Sequence, residues 1–174
     1  MKKWFVACAV MLTAPLFSLG VSNAGDIISE IRFGVLAHDP LIQKENGVDL
    51  NAELFFDSWT SGSWQLRPTI GASVNLNGDT SQAYIGLMYG GPISDSWFFE
   101  LGGGGSIHDG KLETADPDRK ELGSRVLFHA EASVGVMLTD TTSLSLYVDH
   151  MSNAGIEERN EGLETAGARV GFRL

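Results

Sequence analysis

Only one cysteine, Cys8, occurs in the 174 residues, and it lies in an apolar leader, too close to the start for a convincing lipoprotein site. The rest of the chain has no thiol, which excludes disulfide staples. Positive charge is scarce as well: 12 Lys and Arg stand against 22 Asp and Glu, a formal charge of −10. So acidic a chain repels phosphates instead of releasing counterions from them, which argues against nucleic acid as a partner. Beyond the leader there is no apolar run long enough to cross a bilayer as a helix. If the protein lies in a membrane, it must cross as a closed β-barrel, because only that alternative pairs every backbone polar group.

The leader itself reads as an export signal. Lys2 and Lys3 form a basic start, Trp4 to Val21 an apolar run, and Ser22-Asn23-Ala24 a small-residue end. A membrane anchor of about 18 residues is the alternative. Pro15 and the polar sequence that follows favour cleavage after Ala24. Loss of the two lysines would take the charge from −10 to −12 and leave residues 25–174 as one domain.

From residue 27 onward the hydrophobic period is two, not 3.6. Trp64, Leu66, Ile70, Ala72, Val74 and Leu76 share one face, and Gln65, Arg67, Thr69, Ser73 and Asn75 the other. Eight such segments are expected: 27–37, 47–57, 64–76, 82–90, 96–108, 121–138, 142–153 and 163–174. Turn signals such as Asn77-Gly78-Asp79, Gly91-Pro92 and Thr139-Asp140 separate them. The fold class expected is all-β, an eight-stranded antiparallel transmembrane β-barrel.

Alternation alone does not say which face points outward. A soluble lipocalin-like lipid carrier buries the apolar face, whereas an outer-membrane barrel turns it to lipid. Three features favour the membrane. The polar face carries mixed charges (Glu30, Arg32, Asp49, Glu53, Arg67, Glu100, Arg125, Glu131, Arg169 and Arg173), suited to a plugged lumen. Phe56, Trp64, Tyr89 and Trp97 fall at one level of the apolar face, where an aromatic girdle belongs. The chain also ends within a strand, with Val170, Phe172 and Leu174 on the apolar side. With periplasmic termini, the connections near 38–46, 77–81, 109–120 and 154–162 are extracellular, and those near 57–63, 91–95 and 139–141 periplasmic.

Strand parity then isolates a polar cluster on the apolar face. The seventh segment reads Leu144, Leu146, Val148, His150, Ser152; the eighth reads Glu164, Ala166, Ala168, Val170, Phe172, Leu174. His150, Ser152 and Glu164 therefore share the lipid side near the extracellular end. A serine hydroxyl is a weak nucleophile until a neighbouring base takes its proton, and a carboxylate fixes the tautomer of that base. Asn153 and the backbone around Gly155 are candidate oxyanion donors. A wet rim with no chemistry is the competing reading of the same three residues.

The string His150-Met151-Ser152-Asn153-Ala154-Gly155, followed by Asn160-Glu161-Gly162-Leu163-Glu164, resembles the C-terminal signature of the PagL family of outer-membrane lipid A 3-O-deacylases. The resemblance covers residue types and the spacing from His150 to Glu164, within the last quarter of the chain. It implies an eight-stranded barrel that hydrolyses the ester carrying the 3-position hydroxyacyl chain, with no metal or other cofactor. It also implies Ser152 as nucleophile, His150 as general base, Glu164 as orienting acid, and Asn153 with Gly155 at the oxyanion. The expected partners are lipid A or lipopolysaccharide as substrate and outer-membrane lipid around the barrel; a homodimer is compatible with the sequence. A non-catalytic structural or adhesion barrel is the alternative from another functional class.

Other polar features read more simply. Gly102-Gly103-Gly104-Gly105 lacks the Lys and Ser/Thr of a phosphate loop and lies within a strand. His129 and Glu131 are expected to be lumen hydrogen-bonding partners. Asp149 adjoins His150 but points the opposite way. Glu157, Glu158 and Glu161, with Asp116 and Asp118, read as loop charges whose spacing matches no calcium loop.

Overall fold

The computed structural model describes residues 27–174, so the expected signal segment, its cleavage site and Cys8 lie outside the described residues. Eight strands follow in chain order: β1 (Ile28–His38), β2 (Val48–Phe56), β3 (Gln65–Asn75), β4 (Gln82–Pro92), β5 (Trp97–His108), β6 (Val126–Met137), β7 (Thr142–Ser152) and β8 (Leu163–Arg173). Each pairs antiparallel with its neighbours, and β1 closes on β8 through a register that includes Phe33 opposite Val170. Closure leaves no free strand edge, which a strand within hydrocarbon requires.

The alternation resolves into a charged interior and an apolar exterior. Phe33, Val35, Leu50, Ile70, Ile85, Leu101, Leu146 and Val148 are all exposed, on every side of the barrel. Such a belt far exceeds the apolar patches of soluble proteins and calls for lipid around it. Trp64, Tyr89 and Trp97 stand at one end of it, with Trp64 and Tyr89 ring centres 5.5 Å apart. The lipocalin-like alternative fails here, because its interior would have to be an apolar cavity.

Ion pairs fill the lumen instead. Arg32 pairs with Glu30 at 2.7 Å and with Glu100, and Arg67 reaches the same two carboxylates. Phe55 lies beneath both guanidinium groups, at 4.1 and 4.4 Å. Higher up, Arg169 pairs with Glu53, receives support from Ser133, and stacks over Tyr147. Burying such charges is tolerable only because each has a partner, and removing one partner costs about 3–5 kcal/mol. His129 and Glu131 are buried in this lumen, His129 stacked on Tyr84 at 4.1 Å.

Two sequence expectations change. The sixth strand begins at Val126, not at residue 121. Residues 121–125 instead belong to a long connection that folds over the barrel mouth, where Leu122 N–H donates to Lys111 O and Gly123 N–H to Leu112 O. Leu122 is buried with Leu127, Met151 and Leu163, out of phase with the odd-numbered inward residues of β6. Arg125 accordingly leaves the polar lumen face and donates outward to His108 O and Gly110 O. Arg173, opposite Glu30 at the end of β8, keeps the lumen side and lines the open end of the barrel.

Candidate active site

His150 and Glu164 are directly opposite each other in the β7–β8 register. Antiparallel neighbours at that separation bring their side chains into contact. The His150 Nδ1–H donates to Glu164 Oε1 at 2.8 Å, leaving Nε2 to face elsewhere. The imidazole is half-exposed on the outer wall, and Glu164 is mostly covered. Because residues i and i+2 of a strand point the same way, Ser152 shares that wall, about 7 Å further along the backbone.

Gly162 explains where the ring can sit. Gly162 lies one residue before Leu163, which is paired with Met151 at the end of the β7–β8 register. A Cβ there would stand 2.9 Å from His150 Cε1 and 3.6 Å from Nε2, and the residue has φ +64°. The ring thus leans to the loop side of the His150–Glu164 pair, the side on which Ser152 follows along β7. No hydrogen bond from Ser152 Oγ occurs among the described residues, so His150 and Glu164 are joined and Ser152 is not bonded to them.

Asn153 and Gly155 do not fit the oxyanion role expected of them. Asn153 is buried, and its Nδ2 donates to Leu122 O at 3.1 Å and to Arg159 O. Its Oδ1 accepts the Gly155 N–H at 2.9 Å, so both expected donors are spent on folding the 153–162 loop. The unspent donors nearby are the Ala154 N–H and the Asn160 amide nitrogen; Asn160 Oδ1 accepts from Asn153 N–H at 2.9 Å. The Asn-x-Gly-x-Glu segment held this signal, but the sequence does not say which of its groups are already bonded.

Loop charges also do more than face water. Glu161 accepts from Lys44 Nζ at 2.8 Å and from Glu121 N–H at 2.7 Å, tying together the 39–47, 109–125 and 153–162 connections. Burial opposes ionisation of Glu161, but the Lys44 bond and the Glu121 amide hold its carboxyl below the usual range. Asp149 points inward, as parity requires, where it accepts from Gln82, Tyr147 and Thr165. Lys120, absent from any sequence expectation, is buried beneath Glu164.

On the outer wall next to Ser152 lies a groove of about 260 Å³. Phe128 is opposite Ser152 on one side and opposite Gly105 on the other. Gly105, Val126, Phe128 and Ile156 line the groove, with Asn153 and Glu157 at its upper rim. Its chemistry suits a hydrocarbon chain, and Gly105 leaves its floor free of a side chain.

Comparison with known proteins is consistent with this picture. The family model described as lipid A 3-O-deacylase (PagL) matches residues 43–173. The lipid A deacylase PagL of Bordetella bronchiseptica is 29% identical over 142 residues, covering 75% of this chain and 78% of that protein. Among solved structures, that of the outer-membrane enzyme PagL superposes with a TM-score of 0.64 at 19% identity, over 84% of this chain and all of the other. The Yersinia pestis outer-membrane protein Ail gives a TM-score of 0.51 at 12% identity, over 85% of this chain and 99% of its own. These structural likenesses establish the barrel.

Proposed function

Since the chain belongs to the lipid A 3-O-deacylase (PagL) family of outer-membrane barrels, we propose that it performs this ester hydrolysis with Ser152 as nucleophile, His150 as general base and Glu164 as orienting acid. The observation that carries the assignment is the His150 Nδ1–Glu164 Oε1 bond on the lipid-facing wall. An imidazole exposed there and paired with a carboxylate has a cost that a purely structural barrel has no reason to bear.

In the first half-reaction Ser152 Oγ attacks the ester carbonyl carbon while His150 Nε2 takes its proton. Glu164 stabilises the resulting imidazolium through the Nδ1–H bond without itself accepting the proton. The carbonyl oxygen gains negative charge, and the Ala154 N–H and Asn160 amide are the donors available to it. Collapse of the intermediate breaks the bond to the 3-position oxygen, which leaves as an alcohol carrying the proton from His150. Water then attacks the acyl-serine by the same route and releases the hydroxy fatty acid, restoring Ser152.

A hydrocarbon tail lying in the Gly105–Phe128 groove would bring its ester to Ser152 from the side of the barrel. Mass spectrometry of lipid A from cells expressing the wild type or Ser152→Ala tests the reading. Loss of one 3-hydroxyacyl mass is expected with the wild type only. Equal loss with Ser152→Ala would remove the serine from the mechanism.

A further inference from the structure

Lys120 is a fully buried lysine at the barrel mouth, and its ammonium lies 2.8 Å from Asp39 Oδ1 and 3.9 Å from Glu164 Oε2. Long charged side chains are almost never fully buried unless paired. Asp39 neutralises the lysine and is itself tied down, its Oδ2 accepting the Lys44 and Glu45 N–H groups and its own N–H donating to Glu164 O. Glu164 spends Oε1 on His150, while Oε2 is buried and accepts no hydrogen bond among the described residues. The cation facing that oxygen is Lys120. Its backbone is held from the other side, Lys120 N–H donating to Glu45 Oε1 at 3.1 Å.

We propose that Lys120 is a positioning residue for the deacylation, acting through Glu164. With Oε1 drawn to His150 and Oε2 drawn to Lys120, the carboxylate has one orientation. The imidazole then presents Nε2 towards Ser152. Lys120 belongs to the 109–125 connection, so the base is aligned only while that connection is docked in the mouth. This inference rests on Glu164 being the orienting acid.

The test exploits the single cysteine of the chain. With Cys8→Ala, a Lys120→Cys substitution supplies the only thiol. The unfolded chain is alkylated in urea with either an aminoethyl or a propyl reagent and refolded into detergent micelles. The two adducts match in length and differ in charge. Heat-modifiable migration on a gel reports the closed barrel, and hydrolysis of purified lipopolysaccharide reports kcat and KM.

The aminoethyl protein is expected to retain kcat within about threefold of the unsubstituted chain. The propyl protein is expected to fold, to lose tenfold or more in kcat, and to keep KM within about twofold. In a Glu164→Gln background the two adducts should differ less than twofold, because the group through which Lys120 acts is gone. Equal kcat for both adducts, or the same difference in the Glu164→Gln background, would overturn the proposal. So would a propyl protein that fails to fold, since the charge would then serve structure. If Glu164→Gln alone leaves kcat unchanged, the assignment of the acid has failed instead.

Discussion

A methyl group added at Gly162 would stand 2.9 Å from His150 Cε1, so the imidazole of β7 rests against a residue on the loop leading into β8. The same glycine holds φ +64°, a conformation that costs a side-chain-bearing residue about 1 kcal/mol or more. Gly162→Ala is therefore expected to push the ring from Ser152 and lower kcat at least tenfold, with the barrel intact on a heat-modifiability gel. Wild-type turnover in that variant would show that the ring position is not constrained there.

Replacing His150 should be almost as damaging as replacing Ser152, because base and nucleophile act as a unit. A loss of about 10²–10⁴-fold is expected for His150→Ala, and the Ser152→Ala/His150→Ala pair should be little worse than either alone. Glu164→Ala should be milder than both. Lipopolysaccharide hydrolysis by the purified variants measures all four; multiplicative losses in the pair would mean the two residues act separately.

Asn153 and Asn160 should separate by phenotype. Asn160→Ala removes an unspent donor along with the acceptor of the Asn153 N–H, and is expected to reduce kcat by about 10²-fold while the Asn153 side-chain links keep Arg159 resistant to trypsin. Asn153→Ala breaks the links to Leu122 and Arg159, so the 153–162 loop should become cleavable by trypsin at Arg159. A folded, resistant Asn153→Ala protein with a large kcat loss would restore Asn153 to the oxyanion site.

Glu45 supplies a pH-dependent clasp outside the membrane. Burial pushes its carboxyl upward, but hydrogen bonds from His38, Thr80 and the Lys120 amide outweigh that and bring it down to about 2. A carboxyl lowered on folding stabilises the folded form fully above its ordinary value near 4.5, and the contribution disappears as pH falls towards 2. Amide exchange at Thr80 and Lys120, corrected for intrinsic rates, should therefore accelerate only below about pH 4.5. In Glu45→Gln no such step should remain; a step between pH 6 and 5 in the wild type would point to another group.

The barrel was legible because the strands alternate with an apolar face outward and most carry charge inward, and a slip of one residue would put Arg32 or Arg169 into lipid. His150, Ser152 and Glu164 were legible for the same reason, as exceptions to that rule. The start of β6 was not: Lys120 and Leu122 are buried out of phase with Leu127 and His129, and their backbone N–H groups bond to residues 45 and 111. Lys120 itself reads as an ordinary loop lysine, since its partners Asp39 and Glu164 come from the connection after β1 and from β8. The Asn153 and Gly155 donors looked free because nothing in the string His150–Gly155 reveals that one satisfies the other.

His150 opens onto the outside of the barrel, with 47% of its side chain uncovered before any lipid is present. A reagent group so displayed samples its reactant by lateral diffusion within a sheet, not by capture from solution. Its rate should then follow the mole fraction of substrate among neighbouring amphiphiles, whatever the volume of the surrounding water. Inert detergent or phospholipid acts on such an enzyme as a diluent in two dimensions, and the composition of the leaflet becomes a control on turnover without any ligand binding to the protein.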